Sequence, residues 1–130
     1  MDPSREAVES LAKIVVDSIV KVHRALGPGL LESTYQLCLA HELRNRQIDL
    51  RCEVDLPVPY DGIVIEAGYR VDILVQNCIL IENKSVQALA AIHEAQLLTY
   101  LKLSGHRLGF LVNWNVPLIK EGIKRMVNGL

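Results

Sequence analysis

Near Leu50 the hydrophobic period of the chain changes from helical to alternating, and that change limits what it can fold into. Before it, Val8, Leu11, Val15, Ile19, Val22 and Leu26 recur at the spacing of one helix face. Asp2-Pro3 or Ser4 can open that helix, and Gly27-Pro28-Gly29 closes it. A second helical segment runs from about Leu30 to Arg46, with Leu31, Tyr35, Cys38 and Leu39 on its apolar side. After the change, Leu50, Cys52, Val54, Leu56 and Val58 alternate with Arg51, Glu53, Asp55 and Pro57, which is a half-buried strand. Pro57 and Pro59 put its end at a sheet edge.

Turn chemistry divides the rest. Asp61-Gly62 is a hairpin signal. A second strand covers about Ile63 to Val75, with a break near Gly68, and Gln76-Asn77 turns the chain into a third strand, Cys78 to Val86. Leu89 to Leu103 is helical and ends at Ser104-Gly105. Leu108 to Asn113 reads as a fourth strand, and Leu118 to Asn128 as a last amphipathic helix. The order α-α-β-β-β-α-β-α predicts an α/β (mixed α+β) fold in one domain over residues 1–130. It should hold a central mixed sheet of about four strands with helices on both faces. The strand from Leu108 should lie parallel to the one from Cys78, because a helix joins them as a right-handed crossover.

A chain of 130 residues, half of them hydrophobic, can bury a core of its own. Its net charge of −1 argues against a non-specific DNA coat, although local basic patches remain open. Cys38, Cys52 and Cys78 are odd in number and lack a C-x-x-C, so a reduced cytoplasmic compartment is expected. The four histidines have no zinc spacing. The polar start MDPSREAVES is not expected to be a signal peptide, and no apolar run is long enough for a bilayer, so no membrane partner is expected.

Three charges break the apolar pattern. In RVDILVQNCILIENKS, Asp72 lies inside one strand, and Glu82 and Lys84 lie in the next. Residues two apart on a strand share a face, so Glu82 and Lys84 project together. If Asp72 comes near Glu82, two carboxylates and one ammonium converge. The carboxylates alone would repel, and a hard divalent cation such as Mg²⁺ relieves that. The alternative is a salt bridge between Lys84 and one carboxylate, with the other in solvent. A two-residue loop at Gln76-Asn77 would pair Asp72 with Ile81 and send Glu82 to the opposite face. Convergence therefore requires a three-residue turn, or a bulge or splay near Asp72.

Two further stretches bear on the site. In Gly29-Leu30-Leu31-Glu32-Ser33-Thr34-Tyr35, Glu32 falls on the opening turn of the second helix, where with Gly29 as N-cap it could serve the helix dipole. In HEAQLLTY, His93, Gln96 and Tyr100 form a polar stripe on an otherwise apolar helix, and Gln96 and Tyr100 could simply bond each other.

Together these stretches resemble a known pattern. Asp72 followed by Glu82-Asn83-Lys84 is similar to the D…E-x-K signature of the PD-(D/E)xK nuclease superfamily. Gln96-x-x-x-Tyr100 resembles the extra motif of its RecB-like and Cas4-like exonuclease branch, and Gly29-x-x-Glu32-x-x-Tyr35 resembles the small GxxExxY family. The likeness spans about residues 10 to 128, including LVNWNVPLIKEGI. It implies that Asp72 and Glu82 ligate Mg²⁺ or Mn²⁺, with the Asn83 carbonyl and Glu32 as further ligands. Lys84 would position the attacking water, Gln96 would orient Lys84 or a phosphate, and Tyr100 would support Gln96. Asparagine at 83 departs from the usual apolar residue and puts local packing in question.

The expected activity is metal-dependent phosphodiester hydrolysis on nucleic acid, DNA rather than RNA. Lys102, Arg107 and Lys120 are the candidate phosphate contacts, within the clusters Lys102–Arg107 and Lys120–Lys124–Arg125. A homodimer would suit so small a domain. The competing expectation is a binding or regulatory module of nuclease fold that is silent or depends on a partner.

Overall fold

In a computed structural model, which describes residues 2–130, two long helices come first. Helix α1 (Arg5–Leu26) starts at Ser4, whose hydroxyl accepts the Ala7 amide at 3.1 Å. It ends at Gly27, whose φ of 69° lies where a side chain would be strained. Of the apolar positions read from the sequence, Val8, Leu11, Val15, Ile19 and Val22 are buried, whereas Leu26 in the last turn is exposed. Helix α2 (Glu32–Asn45) begins at Glu32 with Leu31 as N-cap, so Gly29 is not the cap and Glu32 is not at the third helical position.

Strand β1 (Leu50–Asp55) then enters the sheet. The expected long strands are each interrupted. Val58–Tyr60 (β2) and Ile63–Ile65 (β3) form a separate two-stranded hairpin around Asp61 and Gly62, both with positive φ, as a tight primed turn demands. Strand β4 (Arg70–Val75) starts after Gly68, also at positive φ. It is followed by β5 (Ile79–Lys84), helix α3 (Ala91–Ser104) and β6 (Leu108–Asn113). The main sheet is ordered β1-β4-β5-β6 and then β7 (Ile123–Val127), with only β5 and β6 parallel.

The last helix is a correction. Residues expected to coil from Leu118 to Asn128 form one 3-10 turn, Ile119–Glu121, and then β7. The apolar spacing Ile123, Met126, Val127 is helical, yet the segment is too short for an independent helix, and as a strand it sends Ile123 to one core and Met126 to the other. The open edge of β6 decides the outcome: Met126 pairs with Gly109 and Ile123 with Val112. The sheet therefore has five strands where about four were expected.

Two cores cover the two faces. Helices α1 and α2 pack with Ile73, Val75, Ile79, Ile81, Phe110 and Val112. Helix α3 covers the other face over Leu74, Leu80 and Leu111. Each fully buried aliphatic side chain contributes about 1.5–3 kcal/mol of transfer free energy. At Gly109 a β-carbon would meet the Leu97 side chain at 3.1 Å, so α3 sits directly on β6. Gly109→Val should therefore lift α3 and cost about 1–3 kcal/mol, read as a lower urea midpoint at unchanged slope.

Candidate active site

The turn between β4 and β5 sets the geometry. Val75 pairs with Ile79, so Gln76, Asn77 and Cys78 form a three-residue connection, with Gln76 and Asn77 at positive φ. This register puts Asp72 opposite Glu82. Regular pairing stops one step earlier, at Ile73↔Ile81. Beyond it each carboxylate takes a backbone amide: the Asp72 amide donates to Glu82 Oε1 at 3.0 Å, and the Asn83 amide donates to Asp72 Oδ2 at 2.8 Å. Either an odd turn or a splay would allow convergence, and both are present.

The distortion extends into β1. The register Cys52↔Ile73 and Val54↔Val71 skips the pair Glu53 and Asp72, and Glu53 has φ 53°. Ile73 and Cys52 pack on the α1–α2 side, whereas Val71 and Val54 pack on the α3 side. Residues two apart on a regular strand would share a face, so both strands twist through this point. Glu53 is thus a third carboxylate beside the site, and its side chain accepts from Gln36 at 2.8 Å. It had looked like an ordinary solvent-facing strand residue. The signal for it was its register opposite Asp72, which only the pairing reveals.

Burial governs the charges. Glu82 is 5 % exposed, and desolvation, reinforced by the Asp72 charge, pushes its pKa up to about 8. Burial also raises Asp72, partly offset by the Asn83 amide. Lys84 lowers both carboxylates through space, yet among the described residues it forms no ion pair. The simple salt-bridge alternative is not what forms.

Glu32 reaches the site from the other layer. Its Oε1 accepts the Ser85 amide at 3.1 Å, and Ser85 Oγ donates to the Leu30 carbonyl at 2.8 Å. The start of α2 is thereby tied to the end of β5. Tyr35 holds the preceding loop: its hydroxyl donates to the Gly27 carbonyl at 2.5 Å and accepts the Leu30 amide at 3.1 Å. Its ring stacks on Trp114 at 4.8 Å and 5°. Trp114 Nε1 donates to Asn83 Oδ1 at 2.9 Å, which explains asparagine at this buried position. Asn83 Nδ2 has no partner among the described residues, at a cost of about 1–3 kcal/mol beside the site. Asn113, not singled out from the sequence, clamps the next turn through both polar groups of Val86.

On α3, Gln96 Nε2 donates to the Tyr100 hydroxyl at 3.2 Å, and both residues line a groove with Lys84. His93 Nδ1 accepts the Ala90 amide at 3.0 Å at the helix start. The basic residues do not gather here. Lys102 is exposed near the end of α3. Arg107 precedes the Leu108↔Ile79 end of the sheet, far from Lys84↔Asn113, and donates to the Pro3 carbonyl. Lys120 lines a groove against α1 with Val16 and Phe110.

A mixed sheet covered on both faces by helices, with an aspartate on one strand and Glu-x-Lys on the next, defines a restriction-endonuclease-like α/β protein. The chain belongs to the PD-(D/E)XK nuclease superfamily, whose family model matches residues 9–126. It is also similar to a solved protein, the crystal structure of SSO0001, at 25% identity and a TM-score of 0.58. That match covers 97% of this chain and 62% of the other, so this chain spans less than two thirds of that protein. No curated protein matches it. Among the described residues no helix is long and apolar enough to cross a membrane.

The raised Glu82 pKa has a definite stability consequence. Between its ordinary value of 4.5 and about 8, the folded state holds a proton that the unfolded chain has released. Stability of the metal-free protein therefore falls as pH rises through that window. Glu82→Gln keeps the acceptor for the Asp72 amide and removes the charge. In EDTA it should raise Tm by about 3–6 °C near pH 8.5 and by much less near pH 5. An equal rise at both pH values would show that the Glu82 charge is not the cause.

Proposed function

We propose that this chain is a Mg²⁺- or Mn²⁺-dependent nuclease that hydrolyses phosphodiester bonds, with DNA rather than RNA as substrate. The observation that carries this reading is the Asp72–Glu82 pair, two half-satisfied carboxylates held together in a buried splay with an unpaired ammonium nearby. Among the described residues no three His, Cys, Asp or Glu side chains close on a single point. That suits Mg²⁺, which takes one or two carboxylates and keeps several waters. Asp72 and Glu82 would be those carboxylates. The N–H and C=O of a strand residue project to the same side, so the Asn83 carbonyl faces the Asp72 carboxylate that its amide already bonds. Glu32, held at Ser85, would reach the ion through water. When bound, the ion supplies charge neutralisation and a more acidic water.

The chain's own groups do the rest. The Lys84 ammonium orients the attacking water and stabilises charge that grows on the phosphate. Gln96, held by Tyr100, orients Lys84 or a phosphate oxygen. Of the surface cations, Lys102 lies on α3 outside the groove that pair lines, and Lys102, Arg107 and Lys120 would act on more distant phosphates. The GxxExxY motif and the Gln96–Tyr100 pair support a place in the GxxExxY family and the RecB-like, Cas4-like branch. Three free cysteines fit a reducing cytoplasm, and a homodimer would lengthen the contact with a duplex.

The second reading, a silent or partner-dependent nucleic-acid-binding module, draws on the lack of a third converging side-chain ligand and the scattered cations. Calorimetric titration with Mn²⁺, beside cleavage of single- and double-stranded DNA, separates the two. Asp72→Ala should lose both metal binding and cleavage. Lys84→Ala should keep metal binding and lose about 10²–10³-fold in rate. Equal Mn²⁺ binding by wild type and Asp72→Ala, with no cleavage of any nucleic acid by wild type, sinks the nuclease reading.

A further inference from the structure

A second feature opens directly onto Lys84. A groove of about 640 Å³ runs between α3 and the base of the β2–β3 hairpin, and Lys84, Gln96 and Tyr100 form part of its lining. Its remaining walls are mostly apolar: Val58, Tyr69, Ile92 and Leu103, with His93 and Thr99 as polar points. No carboxylate lines it, and Lys84 is the one ammonium or guanidinium that does. A groove meant for a duplex backbone would carry several cations to meet phosphates. This one offers ring faces and methyl groups instead.

We propose that this groove is a nucleobase subsite, holding one unpaired base of a strand whose phosphate lies at Lys84. The inference rests on nucleic acid being the substrate and names its form: an unpaired strand or a frayed end. Tyr69 leans on Tyr100 with ring centroids 6.1 Å apart and planes at 56°, yet it is 47 % exposed, so part of its ring stays open to a planar partner. Ile92, on the first turn of α3, is 71 % exposed and gives the groove an apolar lip. Such surfaces bind base faces, and in a duplex those faces are already covered by neighbouring bases.

Base edges also find partners. The Ala90 amide occupies His93 Nδ1, which puts the ring proton on Nε2 and leaves it as a free donor. Gln96 spends its amide nitrogen on Tyr100, so its Oε1 can accept from a base. Next to the groove, Tyr60, Ile63 and Val64 of the β2–β3 hairpin are exposed. They could lie against the last stacked pair of a frayed duplex.

The test is fluorescence anisotropy with labelled oligothymidylate, an abasic strand of equal length, and the matching duplex, with Ca²⁺ present. Wild type should bind the base-bearing strand about 10-fold more tightly than the abasic one, and more tightly than the duplex. Tyr69→Ala should erase that preference, Tyr69→Phe should retain it, and Ile92→Ala, at an exposed position, should weaken it several-fold. Equal binding of the two strands by wild type overturns the subsite. So does tighter duplex binding, a preference that survives in Tyr69→Ala, or no binding to any of the three. Cleavage in Mg²⁺ separates this inference from the nuclease reading. Base-dependent binding without cleavage sinks the nuclease and keeps the subsite, whereas cleavage without base dependence does the reverse.

Discussion

Everything about the site depends on two amides that bond carboxylates where a sheet would ordinarily bond carbonyls. The Asp72 amide and the Asn83 amide each donate to the other strand's acidic side chain. These bonds satisfy the backbone where β4 and β5 part, so the splay does not leave buried donors unpaired. They also hold two acids side by side in a place that strips them of water. Desolvation and the Asp72 charge raise the pKa of Glu82 to about 8, even though the Asp72 amide pulls it down. Stability is given up there, and the chemistry proposed for the site needs that same concentration of negative potential.

The surrounding structure acts as a brace. Trp114 links the two layers by stacking on Tyr35 and bonding Asn83. Tyr35 fixes the loop before α2, and α2 delivers Glu32 to Ser85. Asn113 holds the backbone that follows Lys84. A disturbance at Trp114 would therefore reach the residues flanking Glu82, Lys84 and Glu32 together. In this view Tyr35 of the G-x-x-E-x-x-Y stretch is a scaffold residue: it secures the approach of the glutamate and does not face the site chemistry.

Strong periodicity makes α1 legible, and apolar runs bounded by turn residues make the β4–β5 hairpin, α3 and β6 legible, while parity along two strands is enough to demand an odd turn or a splay between Asp72 and Glu82. The segment after Pro117 carries a helical spacing, but the free edge of β6 overrides so short a local preference. From its place at a helix start, Glu32 has an alternative reading as a residue that serves the helix dipole. Its partner, Ser85, lies 53 residues away and no local pattern could indicate it.

The sequence alone determined which residue types were available and where the chain had to turn: an aspartate, a Glu-Asn-Lys step and a polar stripe, each set in an apolar frame that left little choice of period. Those are local properties, written in spacings of two to seven residues. Tertiary structure alone decided that Glu53 stands opposite Asp72, that Trp114 satisfies Asn83, and that Lys84 stays unpaired within a groove shared with Tyr69. Each of these depends on strand register and layer packing. A one-residue shift in register would turn every such side chain to the other face without changing any local preference.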